Sequence, residues 1–149
     1  MDIKNLENKF KIFKESINFN YSLKKLNWFN IGGNTKIYFK PNSLNDLIKF
    51  LKLYEYNKNL FVLGAGSNVL FKDDLFDGAV IKLSKNFSRI SLLNENTIIA
   101  GSGVLDKLLS DFAMENSLSG FEFLSCIPGT IGGGIRMNSG CFDSEFKDI

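Results

Sequence analysis

Two glycine-rich segments constrain this chain more than anything else in it. The first is Leu63-Gly64-Ala65-Gly66-Ser67-Asn68; the second is Ile127-Pro128-Gly129-Thr130-Ile131-Gly132-Gly133-Gly134, which runs on to Met137-Asn138-Ser139-Gly140. Glycine gives up more conformational freedom on folding than any other residue, so glycine concentrated inside an apolar, well-patterned chain marks places where backbone must come close to something. Backbone N–H groups are natural donors to phosphate, which makes an anionic ligand the first expectation.

The flanks of the first segment decide between phosphate-binding motifs. Leu60-Phe61-Val62-Leu63 is a short, continuously apolar run that reads as a buried strand, and Gly64-Ala65-Gly66 follows it as in a dinucleotide fingerprint. The third glycine of that fingerprint is missing, however, with Val69 in its place. The following Val69-Leu70-Phe71 favours a strand over the required helix, and no acidic residue ends the next strand near Leu83. A Walker loop is excluded because no Gly-Lys-Ser or Gly-Lys-Thr occurs. There remains a strand-turn-strand loop whose N–H groups could form an anion nest, with the Ser67 hydroxyl and Asn68 amide as further donors. The same two side chains could instead make local turn bonds.

In the second segment three successive glycines, Gly132 to Gly134, suit neither a helix interior nor a strand, so something large is expected to lie against them. Thr130 offers a hydroxyl and Asn138 an amide. Arg136 either meets a phosphate or faces solvent. Pro128 fixes the entry to the loop, and Ile127 and Ile131 are expected to pack beneath it.

Around these segments the pattern predicts an α+β chain. Ile3, Leu6, Phe10, Phe13 and Ile17 repeat at steps of three and four, predicting an amphipathic helix with Asp2 as its cap. Lys36 to Lys40 alternates as a strand ended by Pro41. Ser43 with Asp46 starts a helix whose face is Leu44, Leu47, Ile48, Leu51 and Tyr54, completing a βαβ-like unit with Leu60–Leu63. Further strands are predicted over 69–71 and 79–83, separated by turns at Asp73-Asp74 and Asp77-Gly78, and a hairpin over 89–93 and 97–100. Gly101-Ser102-Gly103 then leads into a helix carrying Val104, Leu105, Leu108, Leu109, Phe112 and Ala113, which should pack on the hairpin. Phe121 to Leu124 is a short buried piece, and the residues after Gly140 show no closing element.

Composition removes several chemistries. The chain has no histidine, which excludes Ser-His-Asp triads and most zinc sites, and no metal ligands are assigned. A net charge of only +2, without a basic block, argues against nucleic acid. No apolar run approaches the ~20 residues that span a bilayer, so no membrane role is expected, and without a secretory signal the cytoplasm is the default location. Cys126 and Cys141 are too few for a disulfide framework and are read as small packed residues in preference to flavin attachment points or redox thiols.

Taken in order, Asn27-Trp28-Phe29-Asn30-Ile31-Gly32-Gly33, Gly64-Ala65-Gly66-Ser67-Asn68, Gly120-Phe121-Glu122-Phe123, Ile127-Pro128-Gly129-Thr130-Ile131-Gly132-Gly133 and Met137-Asn138-Ser139-Gly140 resemble the UDP-N-acetylenolpyruvoylglucosamine reductase family. The resemblance runs from about Tyr21 to the end. It implies a noncovalent FAD site of the vanillyl-alcohol-oxidase type, formed between two α+β lobes over residues 26–85 and 86–149, after an N-terminal lead-in over 1–25, with the second lobe incomplete. By that resemblance Leu63 to Asn68, Ile127 to Thr130 and Gly132 to Gly134, with Asn138 and Gly140, hold the cofactor, and Gly101, Ser102 and Gly103 line the same cleft.

The resemblance further implies NADPH as co-substrate and a UDP-sugar substrate in peptidoglycan synthesis. The family's proton-donating serine and its assisting glutamate and arginine fall beyond Ile149, so no catalytic residue is expected in this chain. The family's substrate-binding domain is absent too, which predicts an inactive chain that self-associates or needs a second polypeptide. Two other readings stay open: a non-enzymatic flavin or nucleotide-binding module of the same fold, and an oxidase of the broader flavin family.

Overall fold

The computed structural model describes residues 3–54 and 59–149. The chain divides into two compact units, Met1–Ser84 and Lys85–Ile149.

The first unit is built on a four-stranded sheet of order β1-β2-β4-β3, formed by β1 (Ile17–Ser22), β2 (Asn34–Phe39), β3 (Leu60–Leu63) and β4 (Phe76–Lys82). β1 runs antiparallel to β2, whereas β4 is parallel to both β2 and β3. Strict alternation along the two central strands sends side chains to opposite faces. Ile37, Phe39, Ala79 and Ile81 join Phe10, Phe13, Phe50 and Tyr54 in one core, while Tyr38, Val80 and Leu63 join Leu23 in another. Phe39 stacks on Phe50 with ring centroids 4.1 Å apart, and Tyr21 on Tyr38 at 4.4 Å. Burial, with Tyr21 as a lesser contributor, pushes the Tyr38 phenol up to about 12.

The helix predicted from Ile3 to Ile17 is three elements. α1 spans Ile3–Lys9, a 3-10 turn spans Lys11–Phe13, and Ile17 opens β1. Leu6, Phe10, Phe13 and Ile17 are all buried in one core, so the apolar spacing is real although the helix is not continuous. The expected cap Asp2 lies outside the described residues, and the Ile3 side chain is likewise not described.

α2 (Leu44–Tyr54) begins as predicted, with Asp46 N–H donating to Ser43 Oγ at 3.1 Å. Of its predicted face, Tyr54 is buried and Leu47 and Leu51 pack against the core, while Leu44 and Ile48 are exposed; Phe50, outside that face, is fully buried.

Three further expectations fail in this unit. β3 is an edge strand with Leu60 and Val62 exposed, not a buried one. Val69–Phe71 forms no strand, because its backbone finds no ladder partner; it crosses in irregular conformation. Asp77-Gly78 is no turn but lies inside β4, where Gly78 passes against the Asn59 carbonyl.

The second unit holds the predicted hairpin, β5 (Ile90–Asn94) with β6 (Thr97–Ala100), closed by Asn96 N–H donating to Asn94 Oδ1. α3 covers Asp106–Glu115, so Val104 and Leu105 precede the helix, and Leu105 and Leu108 are exposed. Leu109 packs as expected with Ile90 and Ile98, in a core shared with Phe123, Leu124 and Ile131.

The glycine triplet, expected to suit no helix, sits in one: α4 spans Ile131–Met137. Thr130 is its N-cap, its hydroxyl accepting from Gly133 N–H, and Asn138 ends it in the left-handed conformation with Ser139 N–H returning to Gly134 O. The residues after Gly140 do form a closing element. β7 (Gly140–Cys141) pairs with β8 (Ser144–Glu145), and the following 3-10 turn buries Phe146 in the core. Cys141 packs against that core, but Cys126 is exposed, contrary to expectation.

Candidate functional site

In the first unit the sheet delivers Gly64–Asn68 directly from the end of β3. Among the described residues, the N–H groups of Ala65, Gly66, Ser67 and Asn68 donate no backbone hydrogen bond. The Ser67 and Asn68 side chains likewise make none, so the local-turn alternative is not what holds them. Four consecutive unoccupied amides flanked by a hydroxyl and a carboxamide form a concentrated set of anion donors.

Two neighbours outside the predicted site fix this loop. Lys82, opposite Leu63 in the parallel register of β3 and β4, donates its ammonium to Gly64 O at 2.9 Å. Burial, and then the charge of Lys40, hold this amine below its ordinary range. On the other side, Trp28 N–H donates to Gly66 O at 3.1 Å. That turn is organised by Asn27, a buried amide donating to Leu23 O and Ile31 O while its Oδ1 accepts from Phe29 N–H. The turn leaves the Trp28 and Phe29 rings 62% and 61% exposed beside the loop, far more than aromatic side chains without a partner normally are. The motif Asn27 to Gly33 was the available signal for the turn. Lys82 needed the strand register, which no motif carries.

In the second unit most of the glycines are explained by protein. A Cβ on Gly132 would stand 3.0 Å from Ser102, one on Gly134 would stand 2.1 Å from the Phe146 ring, and one on Gly101 2.1 Å from Phe87 O. Gly103 backs onto Ser88 and Gly140 onto Ser144 O. The large object against the triplet is therefore in good part the chain itself. Gly134→Ala should cost about 1–3 kcal/mol in urea unfolding, and adding Phe146→Leu should recover part of that loss. Equal losses in the single and double variants would show that the ring is not the obstacle.

The donors of this unit divide sharply. Ile131 N–H is taken by Val104 O, Gly132 N–H by Ser102 O, Gly133 N–H by Thr130 Oγ1 and Gly134 N–H by Thr130 O. Asn138 is also engaged, donating to Glu145 Oε2 at 2.9 Å and accepting from Lys147 N–H, while Glu145 pairs with Lys147. By contrast Ser102, Gly129 and Thr130 donate no backbone hydrogen bond among the described residues. Pro128 has no N–H, and Ile127 packs half-buried on the core. Arg136 is exposed in the last turn of α4, without an ion pair among the described residues.

No helix among the described residues is long and apolar enough to cross a membrane.

Residues 35–149 match the family model described as an FAD binding domain. The chain is 64% identical over 133 residues to UDP-N-acetylenolpyruvoylglucosamine reductase of Pelagibacter ubique, covering 89% of this chain and 44% of that protein. It is 46% identical over 129 residues to the enzyme of the same name from Rickettsia canadensis, covering 87% and 43%. The chain thus spans less than half the length of these relatives. Among solved structures, the reductase of Thermus caldophilus superposes with a TM-score of 0.68 at 28% identity, over 87% of this chain and 44% of that one. An alkyldihydroxyacetonephosphate synthase superposes with a TM-score of 0.65 at 16% identity, over the whole of this chain and 33% of its own, a likeness of fold alone. The fold is the α+β, vanillyl-alcohol-oxidase type expected from the motifs. The chain belongs to the FAD binding domain family, as kin of the UDP-N-acetylenolpyruvoylglucosamine reductases.

Proposed function

We propose that this chain is the FAD-holding part of an NADPH-dependent reductase of UDP-N-acetylenolpyruvoylglucosamine in peptidoglycan synthesis, and that it carries none of the residues that act on the sugar. The supporting observation is the run of unoccupied amides from Ala65 to Asn68, braced by Lys82 and by the Trp28 turn. A pyrophosphate needs several donors, and this loop offers four successive backbone N–H groups without a partner among the described residues.

In this reading Ala65 to Asn68 bind the pyrophosphate, and Lys82 holds the loop open by drawing the Gly64 carbonyl away from the anion. The Gly129-Thr130 turn, with Ser102, is a second set of donors for phosphate or another polar group of the cofactor. Gly101, Gly103, Gly132 to Gly134, Asn138 and Gly140 support that set by close packing and by their bonds within the chain. FAD, when bound, supplies hydride transfer. The chain itself binds and orients.

Trp28 is the single tryptophan and sits against the loop, so its emission reports occupancy directly. Titrating FAD into the purified chain should quench Trp28 fluorescence, and Lys82→Met should weaken binding about tenfold. A chain that neither retains FAD nor changes its emission on addition of FAD would overturn the proposal.

A further inference from the structure

Asp106 is a buried acid that the proposed function leaves unused. It stands in the first turn of α3, fully buried, and neither carboxylate oxygen has a hydrogen-bond partner among the described residues. Its neighbour is Gly129: a Cβ there would lie 2.3 Å from Asp106 Oδ2. The backbones are tied as well, with Asp106 N–H donating to Gly129 O at 3.3 Å, Ile131 N–H to Val104 O at 2.9 Å, and Leu105 bridging antiparallel to Thr130. The acid therefore sits against a turn whose two successive N–H groups, those of Gly129 and Thr130, are unoccupied among the described residues.

Among the described residues no other charge pairs with it. Lys107 and Asp111 on α3, Glu122 before the turn, Arg89 at the hairpin, Arg136 on α4 and Glu145 and Lys147 on the closing element make no ion pair with it. Most of these are solvent-exposed.

We propose that Asp106 is a positioning residue that decides whether the Gly129-Thr130 turn presents its N–H groups to a phosphate or turns them inward to the acid's own carboxylate. The inference rests on the reading of that turn as a phosphate donor. A neutral carboxyl gains far less from either amide than an anion does. An ionised one in an apolar site draws any donor within reach, because a buried charge without hydrogen bonds is costly. Burial pushes this carboxyl up to about 6, so the switch falls within an accessible range. The sign follows: the proton-bearing form leaves the donors free, and phosphate binding weakens as pH rises through the carboxyl's titration.

The test uses the full chain, with Asp106→Asn as the variant that keeps shape and removes the charge. The Gly129 and Thr130 amide resonances should move together through one transition near pH 6, and Asp106→Asn should abolish that transition. FAD affinity should fall about tenfold between about pH 5 and about pH 8 in the parent chain, the equivalent of one unit of linked pKa, and stay level in Asp106→Asn. Amides that do not titrate, or that titrate equally in the variant, would overturn the inference. If the amides titrate through Asp106 but FAD does not bind at either pH, the cofactor reading fails while the contact between Asp106 and the turn stands. If FAD binds with the same pH profile in both proteins, the coupling is wrong and the cofactor reading survives.

Discussion

Gly66→Ala is expected to lower the stability of the first unit by about 3 kcal/mol or more and to abolish FAD binding. Gly66 has φ +80°, a conformation that costs an L-residue about 1–2 kcal/mol. The added methyl would then meet Leu26 O at 2.1 Å and Asn27 Cα at 3.0 Å, both backbone. Neither can retreat cheaply, since Asn27 is pinned by three hydrogen bonds and Trp28 N–H is bound to Gly66 O itself. Moving them would also move the four amides proposed to hold the pyrophosphate.

Gly120→Ala is the matched control, because Gly120 also has positive φ, +95°, but no atom lies within 4 Å of where its methyl would stand. It should lose only the conformational cost of about 1–2 kcal/mol and keep FAD affinity. Urea unfolding and flavin titration of the two variants separate strain from collision. Equal losses in both would mean that the contact with Leu26 is not what requires glycine at 66.

The contrast also shows what was legible in the sequence. A strand leading into Gly64–Asn68 and a helix beginning at Ser43 follow from local rules, and both stand in the structure. Where local rules failed, tertiary contact had overridden them. The triplet at 132–134 is poor helix material, yet Thr130 caps it, and close approach of Ser102 and Phe146 rewards the missing side chains. Val69-Leu70-Phe71 has strand composition, but a strand exists only where a neighbour accepts its ladder. The spacing of Ile17 with Phe13 imitated a helical step, although the shared burial came from a chain reversal into β1. Lys82 became visible only through the parallel register that sets it opposite Leu63. Asp106 reads in sequence as an ordinary acidic first-turn residue; only packing shows that its carboxyl is enclosed without a partner among the described residues.

That enclosure has a consequence for stability independent of any ligand. The Asp106 carboxyl is raised from an ordinary 3.8 to about 6, so the folded chain holds this proton more tightly than the unfolded one. As pH rises from about 4 to about 6, the unfolded state ionises first and gains on the folded state; stability falls across that window and is level above it. Complete expression of the shift corresponds to about 3 kcal/mol, from which the positive end of α3 subtracts up to about 1 kcal/mol by favouring the anion. Asp106→Asn, which cannot ionise, should therefore be about 2 kcal/mol more stable than the parent at about pH 8 and similar to it at about pH 4. Urea midpoints at the two values measure the difference. A variant less stable than the parent at the higher pH would mean that the carboxylate, once ionised, recovers more from the Gly129 and Thr130 N–H groups than its burial costs, which would make the acid a net brace of the turn.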